Sequence, residues 1–306
     1  MYCSIGNHKL QGCIMNAAGV NCTTSKELIE LKQDNFCSAV VTKTCTPEYR
    51  KGNPFPRYYE KELSSINSTG LANNGDDFYI THVKDNSQYK LHILSIGTIC
   101  MEDCMSTIYK LNMDEMQNCL LEINMSCPNL YKSQLGYNFD SCEEYIRKIT
   151  EYIGPRKAGM KLTPYFDTEQ FINMSNIIKE YNPSHVTCIN SVGNCLYIDI
   201  DSETTCIKPK KGLGGLGGKV ILPIALANVW SFNGLINIPI IGCGGIINGS
   251  EVFEHILCGA TAVQIGTVLH SEGITCFERL NSELSDIMKK KNYSSLDDFR
   301  GNLKTL

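Results

Sequence analysis

Short apolar runs alternate with amphipathic stretches along the whole chain. A short apolar run closed by polar or glycine positions reads as a buried parallel strand. A longer stretch with apolar positions three or four apart reads as a helix. On this pattern, strands are predicted over 14–17, 39–43, 91–96, 120–124, 158–162, 185–190, 238–243 and 262–266. Helices are predicted between them, over 24–34, 76–84, 101–113, 141–152, 167–181, 218–232 and 250–258, with two more over 276–290 and 296–304. The first helix carries its own start signal, Thr24 as N-cap with Glu27 three residues on.

Eight strands, each followed by a helix, is the count of a (β/α)8 TIM barrel. A doubly wound open sheet alternates in the same way. The strand count fits the barrel better, and no Gly-x-Gly-x-x-Gly opens the first unit. The expected fold class is therefore α/β, a TIM barrel forming a single domain over residues 1–306. Two long insertions interrupt the alternation, 45–74 and 191–217. The second holds a hairpin-like stretch over 196–207 and the run Gly212-Leu213-Gly214-Gly215-Leu216-Gly217-Gly218. Both leave C-terminal strand ends, where barrels of this kind build their sites.

Charge and composition narrow the function classes. With 28 basic and 32 acidic residues and a formal net charge of -4, neither nucleic acid nor a membrane surface is an expected partner. No apolar run approaches the ~20 residues of a membrane span. The N-terminus lacks the basic and apolar regions of a signal peptide, so a cytoplasmic location is expected. Sixteen cysteines in a chain of this length read mostly as small core fillers. Neither they nor the six histidines fall at zinc spacing, and no metal is expected.

Candidate chemistry concentrates at predicted strand ends. Asn124-Met125-Ser126-Cys127-Pro128-Asn129 follows the fourth strand and offers two amides, a thiol and a proline-stiffened turn. Amides read planar hydrogen-bonding rings, and a tuned thiol moves protons near neutral pH. Asn67 and Asn190-Ser191 add further amides on predicted rim loops. Singly, each of these Asn residues also fits ordinary turn chemistry. Lys43 and Lys161 each end an apolar strand, a nearly buried position that lysine rarely takes without a partner. A snorkelling stem is the plainer account of either alone; two on one rim point to an electron-rich ring such as a flavin, whose N1–C2=O edge gains charge on reduction. The glycine-rich ends of the last two strands, Gly242-Cys243-Gly244-Gly245 and Ile265-Gly266-Thr267, fit a phosphate site, although tight turns would also use glycine. The loop 128–138 could act as a lid.

These residues together resemble class 1A dihydroorotate dehydrogenases, the soluble FMN-dependent branch of that family. The likeness runs from Met15-Asn16-Ala17-Ala18-Gly19 to Phe299-Arg300-Gly301 and includes Gly52-Asn53-Pro54-Phe55-Pro56-Arg57-Tyr58, the Asn124–Asn129 block, Asn190-Ser191-Val192-Gly193-Asn194 and Leu222-Pro223-Ile224-Ala225. The resemblance implies an FMN held by Ala18, Gly19, Lys43, Thr44, Asn124, Lys161, Ile189, Gly218, Cys243, Gly244, Gly245, Gly266 and Thr267. It implies a dihydroorotate or orotate ring held by Lys43, Asn67, Thr69, Gly70, Leu71, Asn124, Asn129, Asn190 and Ser191. Cys127 matches the family's catalytic base. The implied reaction is oxidation of dihydroorotate to orotate in pyrimidine biosynthesis, with fumarate reduced to succinate, by a homodimer. The chain departs from the family pattern in having Thr69 for Met and Ala72 for Pro, a lid segment one residue short, and Ile93-Leu94-Ser95-Ile96-Gly97 as its third strand. Two other readings stay open: from these departures, a flavin-binding paralogue with weak or lost turnover, and from the amide clamp, which fits uracil or thymine rings too, a flavin barrel acting on another pyrimidine.

Overall fold

The structure, a computed structural model, describes residues 1–126 and 134–306. Eight parallel strands form its centre: β1 (Ile14–Asn16), β2 (Val40–Val41), β3 (His92–Gly97), β4 (Cys119–Asn124), β5 (Ala158–Lys161), β6 (Val186–Cys188), β7 (Ile240–Cys243) and β8 (Ala262–Ile265). Their order is β1-β8-β7-β6-β5-β4-β3-β2. Each strand falls inside or within one residue of its predicted span, and nearly every strand position is buried, as a sheet covered on both faces requires.

The ladder leaves one seam, between β1 and β2, and side chains close it. Asn16, fully buried, donates from Nδ2 to the Val41 carbonyl at 2.7 Å and accepts the Val41 N–H on Oδ1 at 2.8 Å. Its carboxamide thus takes the place of a peptide group in the missing ladder. Ser38 adds to the seam, donating from both N–H and Oγ to the Ile14 carbonyl at 2.8 Å.

Helices pack outside. Ser25–Gln33 begins with the expected capping box, Glu27 accepting the Thr24 N–H at 2.8 Å while Thr24 accepts that of Glu27 at 3.3 Å. The helices Asp76–Asn86, Met101–Tyr109, Phe139–Ile153, Thr168–Tyr181, Gly249–Leu257 and Cys276–Lys290 also occupy their predicted places. Three boundaries differ. The helix expected over 218–232 starts at Leu222, because Gly218 ends a strand and a short 3-10 turn, Lys219–Ile221, intervenes. The one expected over 101–113 stops at Tyr109. The one expected over 296–304 is a single 3-10 turn, Leu296–Asp298, since Gly301 at φ +69° turns the chain out of helical geometry.

The two insertions, expected as loops, pair with each other. Tyr58–Lys61, Ser64–Asn67, Gly214–Gly218 and Val192–Cys195 make one antiparallel sheet at the C-terminal end of the barrel. The glycine run is therefore a strand. The hairpin-like stretch is a real hairpin, Ile198–Asp199 against Thr204–Thr205. A hairpin of Tyr2–Ile5 and His8–Gln11, which the periodicity did not reveal, precedes β1 and buries Cys3, Ile5 and Leu10. Cys13, Cys22, Cys45 and Cys119 sit in the core as expected; burial pushes the Cys22 thiol up to about 11 and Cys119 to about 12.

Candidate active site

A cavity of about 920 Å³ opens at the C-terminal strand ends, beneath the sheet made by the insertions. Every candidate residue that falls within the described part of the chain lines it. From the barrel rim come Ala18, Gly19, Lys43, Thr44, Asn124, Lys161, Ile189 and Asn190. From the insertions come Asn67, Thr69, Gly70, Leu71, Ser191 and Gly218, and from the last two strand ends Cys243, Gly244, Gly245, Gly266 and Thr267. Cys127 and Asn129 lie outside the described residues; Ser126, their described neighbour in sequence, lines the cavity.

The amides form one connected set. Asn190 donates from Nδ2 to Asn124 Oδ1 at 3.1 Å, and the same oxygen accepts the Ser126 N–H at 3.1 Å. Asn124 Nδ2 reaches Thr44 Oγ1 at 3.5 Å, a weak contact that leaves its donors available. Asn190 Oδ1 accepts the Ser191 N–H at 2.8 Å. Thr44 Oγ1 is in turn 2.9 Å from Ser95 Oγ, so the third strand, despite its departure from the family pattern, brings a hydroxyl to this corner. On the opposite wall Asn67 donates to the Gly215 carbonyl at 3.2 Å.

Both lysines are buried, Lys43 at 9% exposure and Lys161 at 4%. Lys43 Nζ stands 3.1 Å from where a Cβ on Gly19 would be, so glycine there leaves room for the ammonium. Lys161 Nζ donates to Gln264 Oε1 at 2.9 Å and lies 3.9 Å from Cys243 Sγ. Burial pushes the Cys243 thiol up, with the ammonium opposing that shift.

The loop Thr69-Gly70-Leu71 is held from behind. Asn53 donates its N–H to the Thr69 carbonyl at 3.0 Å and its Nδ2 to the Ser68 carbonyl at 2.8 Å. Gly70 at φ +68° sits so close to Asn53 that a Cβ would overlap it. At the far end, Gly244 and Gly245 take φ +127° and +83°, and a Cβ on Gly245 would strike the backbone of Leu222. Ser65 Oγ and Thr267 Oγ1 meet at 2.9 Å there, and the rings of Tyr58 and His270 lie 4.3 Å apart, tilted by 40°. Tyr58, Ser65, Gln264 and His270 were not singled out from the sequence. Gln264 could have been: like Lys43 and Lys161, it is a polar residue inside an apolar strand.

Within the described part of the expected lid 128–138, the Gly136 N–H donates to the Met125 carbonyl at 2.7 Å. Gln134 lines the cavity and accepts from Thr163 Oγ1 at 2.8 Å. Among the described residues, no helix is long and apolar enough to cross a membrane.

Comparison with known proteins gives a consistent family. The family profile described as Dihydroorotate dehydrogenase matches residues 1–288. A protein of Lachancea kluyveri named dihydroorotate dehydrogenase (fumarate) is 43% identical over 307 residues, covering 98% of this chain and 97% of that one. A protein of Streptococcus pyogenes serotype M3, carrying a provisional form of the name dihydroorotate dehydrogenase A (fumarate), is 47% identical over 98% of this chain. Among solved structures, a dihydroorotate dehydrogenase from Eimeria tenella in complex with ferulenol superposes with a TM-score of 0.79 at 19% identity, over 98% of this chain and 88% of that one, a likeness of fold. The chain belongs to the dihydroorotate dehydrogenase family.

Proposed function

We propose that this chain is a class 1A dihydroorotate dehydrogenase, oxidising dihydroorotate to orotate in pyrimidine biosynthesis with FMN as cofactor and fumarate as terminal acceptor. The observation that carries the reading is the convergence of two buried lysines, a linked amide set and two positive-φ glycines on one cavity. The cavity volume is within the range that ligand sites take. The residues fit the cofactor: Gly244 and Gly245 hold a positive-φ turn packed against Ile221, Ala225 and Leu222, where a Cβ would clash, and such a turn can present backbone N–H groups as a phosphate needs. Gly266 and Thr267 complete that end, and Gly218, Ile189 and Cys243 line the cavity between it and the rim. Lys161, with Thr44 and Asn124, would hold the ring's polar edge.

The chemistry that FMN supplies when bound is acceptance of the hydride from C6 of dihydroorotate and its delivery to fumarate. The chain's own residues do the rest. Lys43 and the backbone N–H groups of Thr69 to Leu71 bind the substrate carboxylate. Asn67, Asn124, Asn129, Asn190 and Ser191 read the ring's alternating donors and acceptors and fix its plane. Cys127 takes the proton from C5 as general base. The reading treats residues 1–306 as a single flavin-binding domain, in keeping with one continuous core cluster. It pairs two copies in a cytoplasmic homodimer, with Ile198 and Ile200, both well exposed on the second insertion's hairpin, as apolar surface for a partner.

The test is direct. Purified holoprotein mixed with dihydroorotate without oxygen should lose its yellow colour, and added fumarate should restore it with formation of succinate. A flavin that stays oxidised defeats the dehydrogenase reading, and bleaching by dihydrouracil in place of dihydroorotate redirects it to another pyrimidine.

A further inference from the structure

Glu122 lies inside β4, in the apolar run Leu120-Leu121-Glu122-Ile123, and is fully buried. Its Oε2 accepts from the Thr187 hydroxyl at 2.7 Å and from Gln264 Nε2 at 2.8 Å. Gln264 Oε1 accepts from Lys161 Nζ at 2.9 Å. Only one orientation of the Gln264 amide serves both neighbours, because an ammonium can only donate and a carboxylate can only accept. Gln264 thus links an acid on β4 to a base on β5 from its own place on β8.

A carboxylate buried without a counter-charge is strongly unfavourable. Thr187 and Gln264 are neutral partners. His185 faces the same interior, and burial pushes its imidazole down to about 4, so it carries no charge at neutral pH. The cation that the hydrogen bonds reach is Lys161. Cys243 is the other titratable group beside that ammonium, 3.9 Å away, and its raised thiol stays protonated. The remaining oxygen, Glu122 Oε1, has no hydrogen-bond partner among the described residues. An amide could therefore replace the carboxylate without losing either hydrogen bond.

We propose that Glu122 is a positioning residue for Lys161, acting through Gln264 to fix the ammonium in place and to offset part of its field. The inference rests on the flavin reading above and deepens it. An ammonium against the ring's N1–C2=O edge favours the reduced, anionic cofactor. A carboxylate two hydrogen bonds behind it weakens that preference, because the low-dielectric barrel interior carries the opposing field with little screening. Glu122 then sets how readily the bound cofactor accepts electrons, while touching neither cofactor nor substrate.

Glu122→Gln removes the charge and keeps the hydrogen bonds. In the holoprotein, the cofactor's reduction equilibrium should shift at least tenfold toward the reduced form, about 30 mV upward for a two-electron couple. In the flavin-free full chain, 13Cε-lysine NMR should show the Lys161 titration midpoint falling in the same variant, its signal assigned by its loss in Lys161→Gln. A potential that stays in place or moves down, or a Lys161 midpoint that does not move, overturns the proposal. A merely structural Glu122 would lower thermal stability and leave both readouts alone. If Glu122→Gln fails to fold, Gln264→Met cuts the same link and the Lys161 midpoint must again fall. A wild-type chain that retains no flavin would defeat the flavin reading, and the Lys161 titration would still decide the link.

Discussion

Asn16 offers the sharpest quantitative test of how the barrel closes. Its carboxamide satisfies the Val41 N–H and C=O across a seam that the β1 and β2 backbones do not bridge themselves. Replacing it by Leu keeps the γ-branched shape but leaves both peptide groups buried and unpaired. Each orphan costs about 1–3 kcal/mol, so the pair costs about 2–6 kcal/mol, a large share of the roughly 5–15 kcal/mol that holds a typical domain together. With about 2.1 cal/mol/K of unfolding entropy per residue, a chain of 306 residues loses roughly 1.6 °C per kcal/mol, so the thermal midpoint should drop by at least about 3 °C. Asn16→Asp separates geometry from chemistry: it still accepts the Val41 N–H but sets a carboxylate oxygen against the Val41 carbonyl, and should be no better than Leu. Differential scanning calorimetry on the three flavin-free chains measures this. A Leu variant melting within about 1 °C of the parent would show that the seam is held by packing, and the hydrogen-bond account would be wrong.

The remaining predictions concern the site and the interior. Cys127→Ala should keep its flavin but slow flavin reduction by dihydroorotate about 10²–10⁴-fold in stopped-flow absorbance, the usual loss of a positioned base; full-speed reduction removes Cys127 from that role. Lys43→Ala should lower the flavin content of purified protein and raise the Michaelis constant for dihydroorotate, and a variant matching the parent in both contradicts its placement. Burial holds the imidazoles of His92, His185 and His255 down to about 4, below their ordinary 6.5. Their contribution to stability is complete above pH 6.5 and is lost as pH falls toward 4, by about 1.4 kcal/mol per pH unit for each imidazole. Urea midpoints measured across that window should fall, and His92→Gln should flatten the slope by about one proton; an unchanged slope refutes the assignment.

The barrel was legible because each strand is a short apolar run and each helix an amphipathic one, and Thr24 and Glu27 even marked a helix start. The insertions were not, because strand periodicity needs side chains: Gly214–Gly218 has almost none to alternate, so a strand looked like a flexible glycine loop. The helix expected over 296–304 failed for the opposite reason, apolar spacing without the backbone to carry it past Gly301. Site residues on the rim were found through their chemistry, since Lys43 and Lys161 stand out in apolar strands. Glu122 and Gln264 stand out in the same way. Their roles are set by the fold, because β4, β5 and β8 come together only when the barrel closes.

The sheet over the cavity joins Ser64–Asn67 to Gly214–Gly218, segments far apart along the chain. A Cβ on Gly214 would overlap the Asn67 carbonyl, and one on Gly218 would overlap the Leu63 carbonyl. The canopy is consequently a single mechanical part in which neither half can be redesigned alone. Swapping the first insertion between relatives would misplace Gly214 and Gly218 unless the second travelled with it, so changes of substrate preference through this region must arrive as coordinated exchanges of both.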